Sequence, residues 1–501
     1  MIKTYIFDKI NLYDEICRKE ESELKKGTIN IPEEEIKMQY DYMHKISILN
    51  QEFYHKNGRM PTARVRNFGC QMNEHDAEKL SGMLLEMGYS LVQSDEDKAS
   101  AADLIIFNTC CVRENAEEKV FGHLGALKAA KRENPDMIIA VCGCMTEQSH
   151  VVDEIRRKYK NVDLVFGTQN QHTFPELLLD CMENKKHVYN TEHLDGRVAE
   201  GVPVKRADSI KAWVTIMYGC NNFCSYCIVP YVRGRERSRS SSDILQEIKT
   251  LEAQGYKEIT LLGQNVNSYG LDKEDELNFA GLLDLICRET SIPRIRFMTS
   301  HPKDLSDELI DVMASNPQIC RQLHLPVQSG STRLLGKMNR KYSAEKYMEI
   351  IDKVRSKIPD IAFSTDIIVG FPGETDEDFE QTLDLVKKVR YDMAFTFIYS
   401  KRKGTPAAEW ENQVPSEVVK ERFERLLALQ NGIDREINET YMGKKVEVLV
   451  DGYSRTNAER FTGRTQGNKI VNFVGDRHCI GEIVTVEIDE VQTWSLGGKL
   501  I

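Results

Sequence analysis

The chain has 501 residues, of which 41% are hydrophobic and 29% are charged, and its formal net charge is −11. A chain of this length and composition buries sizeable cores, which excludes wholesale disorder and collagen-like repeats and predicts about three domains. Its apolar runs are strand-sized and it lacks a signal or transit pattern, so the sequence predicts a cytoplasmic protein with no membrane association. Because the chain is acidic, any nucleic-acid contact must be local.

The N-terminal part of the chain divides into three segments. Residues 1–62 are polar and rich in charge runs, which predicts a solvated helical extension. From 63 to 182, short apolar runs alternate with amphipathic stretches, the pattern of a parallel α/β sheet. Residues 183–206 have neither pattern and are interpreted as a linker.

The segment 207–436 carries a more regular alternation of strand-like and helical stretches. Strands are predicted at 213–217, 258–262, 294–298, 321–325, 363–369 and 393–399. Six β/α repeats predict either an open barrel or a doubly wound sheet, and in both folds the loops at the carboxyl ends of the strands build the active site.

Residues 440–501 change character again. They contain short strand-like runs separated by Gly, Asn and Asp, which predicts a small all-β barrel. The predicted fold class is therefore α/β, with a parallel-sheet domain, a six-fold β/α domain and a C-terminal β-barrel.

Cysteine carries the clearest chemical signal. Thirteen cysteines, an odd number in a chain without an export signal, argue against a disulfide framework. Three of them, Cys220, Cys224 and Cys227, fall within eight residues after the first strand of the six-fold repeat. A structural zinc site needs four ligands, usually as two close pairs, and no fourth Cys or His follows shortly after Cys227 in the sequence. An iron–sulfur cubane held by three thiolates instead leaves one iron free for a substrate or cofactor.

The first domain offers a second set of thiols at strand ends. Cys70, Cys110 and Cys144 each follow a predicted strand, and the carboxyl ends of parallel strands meet at one sheet edge. This predicts a second cluster with three thiolates. Cys111 and Cys142 stand beside two of these positions, so the residues alone leave the choice within each pair open.

With these motifs in view, the chain resembles the methylthiotransferases of the radical S-adenosylmethionine superfamily, and among them the MiaB-type enzymes. The resemblance runs from residue 63 to residue 501. Its anchors are C-x3-C-x2-C at 220–227 with Tyr226 before the last cysteine, Gly-Cys-Gln-Met-Asn at 69–73, Asn-Thr-Cys at 108–110, Gly-Cys-Met at 143–145, Arg-Gly-Arg-Glu-Arg-Ser-Arg at 233–239, Gly-Phe-Pro-Gly-Glu at 370–374 and Gly-Arg-Thr at 463–465. The resemblance implies a radical S-adenosylmethionine partial barrel at 207–436, and it resolves the open choice in favour of Cys70, Cys110 and Cys144.

The resemblance also implies a reaction: sulfur insertion and methylation at carbon 2 of N6-isopentenyladenosine, at position 37 in the tRNA anticodon loop. The implied cofactors are two 4Fe-4S clusters and S-adenosylmethionine. The auxiliary cluster on Cys70, Cys110 and Cys144 would offer sulfur. The cluster on Cys220, Cys224 and Cys227 would cleave S-adenosylmethionine. The implied partners are tRNA, through its anticodon stem-loop, and a reductant such as flavodoxin or ferredoxin, with the chain acting as a monomer.

Polar residues at the strand ends are candidates for holding S-adenosylmethionine. In this superfamily the residues after the second strand contact the methionine amine, which implies Gln264 and Asn265. Gln328 and Asp366 end later strands and are candidates for the carboxylate or ribose hydroxyls, although polar residues there also cap loops. Gly370 opens a Gly-Phe-Pro-Gly loop whose bare backbone can approach the adenine closely.

Two basic segments are the candidates for RNA binding. Between 205 and 239, seven basic residues stand against two acids directly after the cysteine triplet, which favours phosphate contacts over an ordinary solvated face. The C-terminal barrel resembles the RNA-binding TRAM domain, and its arginines are interleaved with Phe461 and Phe473, of which one or both belong to the core. The candidate RNA contacts are Arg233, Arg235, Arg237, Arg460, Arg464 and Lys469.

Other functions remain open on sequence alone. Related methylthiotransferases act on an aspartate of a ribosomal protein or on threonylcarbamoyl-adenosine in tRNA, but the Gly-Cys-Gln-Met-Asn motif and the basic barrel favour the isopentenyl-adenosine type. A non-enzymatic iron–sulfur RNA-binding protein or electron carrier is the third alternative. An electron carrier would need neither an open iron nor strand-end cofactor motifs nor an RNA-binding module.

Overall fold

The computed structural model describes residues 29–92, 102–111, 114–191, 197–455 and 457–501. The first domain is a parallel sheet with apolar cores on both faces. Its elements are β1 (Ile29–Asn30), α1 (Glu33–Asn57), β2 (Thr62–Phe68), α2 (Gln71–Glu86), β3 (Ser90–Leu91), β4 (Leu104–Thr109), α3 (Glu114–Glu133), β5 (Ile138–Gly143), α4 (Ser149–Lys158), β6 (Leu164–Phe166), α5 (Phe174–Asn184), β7 (Val188–Asn190) and β8 (Arg197–Val198).

Six of these strands form the sheet, in the order β3–β2–β4–β5–β6–β7. β4 is buried along its whole length, as expected for a parallel strand covered on both faces. The sheet extends further along the chain than predicted, because β7 pairs in parallel with β6. Residues 188–190 therefore belong to the first domain and not to the linker predicted at 183–206.

The N-terminal extension is not a solvated helix where the structure describes it. One face of α1 is buried, and Met43 and Ile46 lie in the same core as the sheet. The buried positions Gln39, Met43, Ile46 and Asn50 follow a helical spacing of three and four residues, so α1 presents one stripe to the domain. β1 pairs with β8. The prediction of a solvated extension is therefore wrong for residues 29–57, and residues 1–28 lie outside the described part.

The second domain alternates strands and helices as predicted. Its elements are β9 (Lys211–Thr215), β10 (Met217–Tyr218), α6 (Val229–Val232), β11 (Arg237–Ser238), α7 (Ser241–Ala253), β12 (Glu258–Leu262), α8 (Phe279–Glu289), β13 (Arg294–Phe297), α9 (Asp307–Ser315), β14 (Gln322–His324), α10 (Thr332–Lys337), α11 (Ala344–Lys357), β15 (Ala362–Val369), α12 (Asp376–Val389), β16 (Met393–Ile398) and α13 (Ser416–Glu439).

Each long strand of this domain pairs in parallel with its neighbour in the chain. β9, β12 and β13 form one run and β14, β15 and β16 another, and a parallel bridge between Ile295 and Ile319 connects them. A doubly wound sheet would reverse the strand order near its middle. The sequential order instead gives a partial barrel of six strands, the first of the two predicted alternatives.

The two faces of the barrel strands differ in chemistry. On β15, Ile367 and Val369 lie in the large core beneath the helices. Asp366 alternates with them and therefore faces the barrel interior, as does its register partner Phe395 on β16. His324 on β14 contacts both, with its ring 5.9 Å from that of Phe395. The interior thus combines polar and aromatic side chains.

The C-terminal domain is a closed five-stranded barrel, as predicted. Its strands are β17 (Lys445–Tyr453), β18 (Phe461–Arg464), β19 (Ile470–Val474), β20 (Ile483–Val491) and β21 (Ser495–Leu500), in the order β17–β18–β19–β21–β20. Phe461 and Phe473 are both buried in its core, which confirms the structural interpretation of these two rings.

A buried network of charges joins the first domain to the partial barrel. Arg206 binds Glu78 of α2 at 3.0 Å and also contacts Glu247 of α7. Arg239 pairs with the same Glu247 and with Glu200, each at 2.6 Å. Buried charges fix geometry because breaking one pair leaves its partner uncompensated.

No helix within the described ranges is long and apolar enough to cross a membrane.

Candidate active site

The triplet of cysteines lies on a loop that a short β-ribbon of β10 and β11 closes. The backbone N–H of Cys220 donates to the carbonyl of Gly234 at 3.2 Å. Gly219 has a φ of +73°, and a Cβ there would lie 1.9 Å from the carbonyl oxygen of Arg235, so only glycine fits. The loop is thereby held just beyond the carboxyl end of β9.

The turn after α10 fixes the middle of this loop. The backbone N–H of Ser225 donates to the carbonyl of Met338 at 3.1 Å. Arg340 is buried, its Nη1 lies 3.4 Å from Sγ of Cys224, and its Nη2 donates to the carbonyl of Pro326 at 2.9 Å. One thiol of the triplet therefore contacts a buried, permanently charged guanidinium.

Of the other two thiols of the triplet, Cys220 is buried and Cys227 is half-buried. Burial raises the pKa of the Cys220 thiol to about 11 and that of the Cys227 thiol to about 12. Without a metal these thiols are protonated at neutral pH, whereas coordination to a metal ion removes the proton. The triplet is thus suited to a metal centre and poorly suited to free nucleophilic chemistry.

The second set of thiols gathers at the carboxyl edge of the first sheet. Cys70 caps the start of α2, Cys110 follows β4 and Cys144 follows β5. A hydrogen bond with the Cys110 thiol lowers the pKa of Cys70 to about 5, with further lowering by the Arg233 guanidinium and backbone N–H groups. A hydrogen bond with Cys111 and the same guanidinium lower the pKa of Cys144.

The two alternative cysteines behave differently. Cys142 lies in the apolar core of the sheet, and burial raises its pKa well above the usual range, which supports leaving it out of the ligand set. Cys111 packs against Cys144 and against the residues that follow Cys227. The structure therefore brings four thiols together at this edge, and geometry alone does not choose between Cys110 and Cys111.

A short segment, residues 228–233, connects the two sets of thiols and is called the bridging segment below. It begins directly after Cys227, and its apolar side chains pack against Cys144. At its end Arg233 is buried, with Nε 3.2 Å from Sγ of Cys144 and Nη2 2.7 Å from Oδ2 of Asp76 on α2. The two sets are thus adjacent, across the interface between the domains.

The donor atoms fit iron–sulfur clusters better than a single ion. Within the described residues, no three His, Cys, Asp or Glu side chains converge as one metal ion would require. A cubane places each thiolate on a different iron, so its ligands need not converge on one point. Two separate sets of thiols, of which four are buried and Cys70 and Cys227 are half-buried, match that demand.

Unpaired polar atoms gather just beyond the carboxyl ends of β12 and β13. Buried polar atoms are normally paired, so several orphans on adjacent strand ends indicate a polar ligand. Five buried atoms at these strand ends have no hydrogen-bond partner among the described residues: Oε1 of Gln264, Oδ1 of Asn265, Nδ2 of Asn267, Oγ of Ser300 and Nε2 of His301.

The sequence predicted only two of these residues, Gln264 and Asn265. Ser300 and His301 were missed, although they follow β13 as the predicted pair follows β12. Burial, followed by the positive charges of Arg340 and Lys303, lowers the pKa of His301 to about 2, so its ring is neutral. The backbone N–H of Lys303 donates to Nδ1 of His301 at 3.2 Å, so in the neutral ring the unpaired Nε2 carries the proton and can donate to a bound cofactor.

The predicted Gln328 follows β14, and it lies beside the predicted Asp366, which stands inside β15 and not at its end as the sequence predicted. The backbone N–H of Gln328 donates to the carbonyl of Asp366 at 2.8 Å, and Gln328 has a φ of +70°. A bulky residue in this conformation is uncommon and is retained where the surroundings enforce it. Asp366 lies 3.6 Å from Nε2 of His324, so both candidates border the barrel interior.

Gly370 and Tyr226, both predicted near the cofactor, have packing contacts with the barrel. Gly370 has a φ of +78°, and a Cβ there would lie 2.6 Å from Val419 on α13, so helix packing requires this glycine. That contact gives the glycine a structural reason, and the approach of the loop to adenine stays a prediction. Tyr226 stands edge-on to the buried ring of Phe371, with 6.4 Å between centroids, and so anchors the cysteine loop to the barrel.

The predicted phosphate contacts of the first basic segment need correction. Arg233 and Arg237 are buried, and Arg237 donates to the carbonyl of Arg233 at 3.0 Å. The prediction is wrong for both, because their guanidinium groups point into the protein. Arg235 is exposed and lies over the ring of Phe223 at 4.5 Å, so it remains a candidate RNA contact.

The predicted RNA contacts on the C-terminal barrel also divide into buried and accessible residues. Lys469 is buried with Nζ 3.4 Å from Oδ1 of Asp392, which contradicts a phosphate contact. Arg464 is partly buried, and its guanidinium donates to Asn468. Arg460 is accessible and pairs with Glu490 at 3.1 Å on the surface.

A groove of about 900 Å³ opens on this barrel near Arg460. Two accessible rings line it: Trp494 is 70% exposed and Tyr453 is 54% exposed. Arg455 and Arg464 also line the groove. Aromatic rings beside cationic side chains form the usual surface for single-stranded RNA.

An apolar patch lies inside the partial barrel, on its last strand. Phe395 and Phe397 alternate along β16, share the inward face, and are 42% and 50% exposed. Phe397 pairs in register with Ile368, and Phe395 with Asp366. Exposed aromatic rings on an interior face indicate a place where an apolar part of a substrate binds.

Comparisons with known proteins identify all three domains. Residues 214–386 match the profile of the radical SAM superfamily, residues 62–167 match the uncharacterized protein family UPF0004, and residues 439–501 match the TRAM domain. In solved structures the fold is similar to that of the radical S-adenosylmethionine methyltransferase TsrM from Kitasatospora setae. The TM-score is 0.51 at 17% identity, over 69% of this chain and 77% of that one.

Two relatives are similar over nearly the whole length. A protein of Acetivibrio thermocellus is 56% identical over 483 residues, covering 95% of this chain and 100% of its own. A protein of Clostridioides difficile is 54% identical over 478 residues, covering 95% of this chain and 99% of its own. Both bear the name tRNA-2-methylthio-N(6)-dimethylallyladenosine synthase.

Proposed function

The chain belongs to the family of the tRNA-2-methylthio-N(6)-dimethylallyladenosine synthases, which are radical S-adenosylmethionine enzymes, and we propose that its two sets of thiols hold the two clusters of that reaction. Cys220, Cys224 and Cys227 would hold one 4Fe-4S cluster. The auxiliary set of Cys70, Cys110 and Cys144 would hold the other.

The adjacency of the two sets is the observation that carries this proposal. Sulfur insertion needs a radical source and a sulfur source at one substrate, and the bridging segment runs from Cys227 to a contact with Cys144 at 3.2 Å. When bound, the clusters and S-adenosylmethionine supply the radical and sulfur chemistry that no side chain can provide at an aromatic C–H bond. The protein supplies position and a dry environment.

The orphaned polar atoms beyond β12 and β13 would orient S-adenosylmethionine. Gln264, Asn265 and His301 offer both donors and acceptors in one place, which suits the amine, carboxylate and hydroxyls of that cofactor. Asp366 lies within β15 and faces the barrel interior, as an acceptor for hydroxyls. These groups are pre-positioned, so binding need not reorganise them.

The inner face of β16 favours the prenylated base over the alternatives. Phe395 and Phe397 offer an apolar surface beside the cofactor region, and a dimethylallyl group is apolar. An aspartate side chain or a threonylcarbamoyl group carries a carboxylate, which is costly to place against two phenyl rings. This supports N6-dimethylallyladenosine in tRNA as the substrate of this chain.

The other parts of the proposal concern partners. The TRAM domain and the exposed Arg235 would bind the tRNA outside the reacting base, which must leave its stack to reach the barrel interior. The electron would come from a small carrier such as flavodoxin or ferredoxin. One chain contains both sets of thiols, so a monomer acting in the cytoplasm, where tRNA is processed, suffices.

The test is anaerobic reconstitution with iron and sulfide, followed by S-adenosylmethionine, a reductant and dimethylallylated tRNA. We expect about eight irons per chain and the 2-methylthio nucleoside as product. Replacing Cys220, Cys224 and Cys227 by Ala should leave about four irons and stop cleavage of S-adenosylmethionine. Loss of all iron in that variant, or binding of one zinc ion instead, would contradict the assignment of two clusters.

A further inference from the structure

Arg233 stands out among the buried charges near the two sets of thiols. Its guanidinium is 4% exposed and contacts one thiol, Cys144, and one carboxylate, Asp76. It was predicted as an RNA contact, but its position excludes that role. Burial disfavours a charged guanidinium, so a buried arginine needs an anionic environment to hold it. Asp76 supplies one negative charge, and the thiolates of a bound cluster would supply more.

We propose that Arg233 is a positioning residue that raises the reduction potential of the cluster on Cys70, Cys110 and Cys144 and fixes this cluster against the bridging segment. The inference rests on the proposed ligand set and adds a residue to it. Arg233 touches neither tRNA nor S-adenosylmethionine in this assignment and acts through Cys144.

The electrostatic argument follows from the contact. Reduction adds one electron, and therefore one negative charge, to a cluster. A fixed cation 3.2 Å from one ligand sulfur stabilises the reduced form more than the oxidised form, as does an N–H group pointing at that sulfur. The site excludes water, so screening is weak. Removing Arg233 should make reduction harder.

Asp76 provides a second test at the same place, in which the reduction potential should shift in the opposite direction. Its carboxylate is 2.7 Å from Nη2 of Arg233 and offsets part of the positive charge. Neutralising it leaves Arg233 without this counter-charge, so the field at the thiols becomes more positive. Asp76→Asn should therefore shift the potential in the direction opposite to Arg233→Gln, which a general loosening of the site would not do.

Arg340 offers a matched control at the other set of thiols. It is equally buried and lies 3.4 Å from Sγ of Cys224. By the same reasoning it should act on the cluster held by Cys220, Cys224 and Cys227, and have no effect on the auxiliary cluster. Each arginine should thus change the reduction potential of the cluster beside it and not that of the other.

The experiment uses the full chain with Cys220, Cys224 and Cys227 replaced by Ala, so that only the auxiliary cluster is present. Its midpoint potential is measured by electron paramagnetic resonance during an anaerobic redox titration. We expect Arg233→Gln to shift the midpoint to more negative values, Arg233→Lys to shift it less, Asp76→Asn to shift it to more positive values, and Arg340→Gln to leave it unchanged.

The outcomes separate this inference from the proposed function. If the parent variant assembles no cluster, the ligand set of the proposed function fails. If it assembles the cluster but Arg233→Gln has the parent's potential, or Asp76→Asn shifts it in the same direction as Arg233→Gln, the role of Arg233 is overturned while the ligand set stands. If Arg233→Gln does not fold, the sign of the shift in Asp76→Asn decides, and no shift or a negative one overturns the inference.

Discussion

Nη1 of Arg294 donates to the carbonyl oxygen of Arg464 at 2.6 Å, so the six-stranded barrel and the C-terminal β-barrel are directly hydrogen-bonded. Next to it, Arg296 donates to the carbonyls of Thr465 and Gln466 at 2.8 and 2.9 Å. These contacts lie at the amino ends of the barrel strands. The TRAM domain is therefore anchored at the end of the barrel opposite to the thiols.

Arg296→Ala should loosen this anchor. The substitution removes the donors for two carbonyls and takes from the buried Glu258 its contact at 2.9 Å, which leaves it the longer pair with Lys211 at 4.0 Å. Breaking a buried ion pair from one side costs about 3 kcal/mol or more. Hydrogen exchange of the turn at 464–469 should therefore be faster by a factor of about 100.

Arg288→Ala is the matched control for that experiment. Arg288 pairs with Asp284 on the exposed surface of α8, and such pairs contribute about 0.5 kcal/mol or less. Its exchange pattern at 464–469 should equal that of the unmodified chain. Unchanged protection of the turn in Arg296→Ala would show that other contacts carry the anchor.

The two sets of thiols should differ in reactivity when the protein contains no iron. The pKa of Cys70 is lowered to about 5, so it is a thiolate at neutral pH, whereas Cys220 and Cys227, at about 11 and 12, are not. The thiolate is the species that alkylating agents attack. Alkylation of Cys70 should be nearly independent of pH above 6 and fall below 5, while that of Cys220 should rise up to tenfold per pH unit through the neutral range.

Peptide mass spectrometry after brief iodoacetamide treatment measures these rates. Cys287 serves as a reference, because it is partly exposed and burial raises its pKa to about 11. Equal rates for Cys70 and Cys287 at pH 6 would contradict the lowered pKa.

The choice between Cys110 and Cys111 is open to a direct test. Both lie among the four thiols of the first domain, Cys110 in contact with Cys70 and Cys111 in contact with Cys144. Because the resemblance assigns Cys110, Cys110→Ala should lose about four irons and sulfur insertion, while Cys111→Ala retains both. The reverse pattern in iron content would move the ligand to Cys111.

Predictions from the sequence were most accurate for elements whose local residue pattern agrees with the fold. β12 was predicted to the residue, because its run of apolar and β-branched side chains ends at a glycine that begins the loop. The cysteine triplet was recognised from spacing alone, since its loop is local in sequence. The stripe of α1 at Met43 and Ile46 was missed because surrounding charge runs mask it.

Predictions based on charge fared worse than those based on spacing. Arg233, Arg237 and Lys469 were counted as basic surface, but a count of charges does not reveal the partner of each one. Those partners, such as Asp76 and Asp392, are distant in the chain and meet the cations only in the fold. Ser300 and His301 were missed for a similar reason, since only the structure reveals that their polar atoms lack partners.

Phe397→Ala should weaken recognition of the dimethylallyl group and leave the chemistry intact. The ring is half exposed on the inner face of β16, so its loss removes apolar contact with the substrate and creates no buried cavity. We expect kcat/KM for dimethylallylated tRNA to fall roughly tenfold. S-adenosylmethionine cleavage without tRNA should not change.

Ile398→Ala is the control for that substitution. Ile398 is comparably exposed on the same strand but shares the face of Val369, away from the barrel interior. It should keep the kcat/KM of the unmodified chain. An equal loss in both variants would indicate damage to β16 and not a substrate contact.

The last prediction concerns the groove on the C-terminal barrel. Trp494 is largely exposed there and can stack on an unpaired base, so Trp494→Ala should weaken tRNA binding by about 1–3 kcal/mol without changing its salt dependence. Among the described residues, the side chain of Arg460 pairs with Glu490 alone, at the surface, and a phosphate can replace that pair at little cost. Arg460→Ala should therefore lower the slope of log affinity against log salt by about one. Lys469→Ala should leave the slope unchanged, because Lys469 is buried against Asp392. Binding measured at several salt concentrations distinguishes these cases, and a slope that falls in Lys469→Ala but not in Arg460→Ala would place the RNA elsewhere on the barrel.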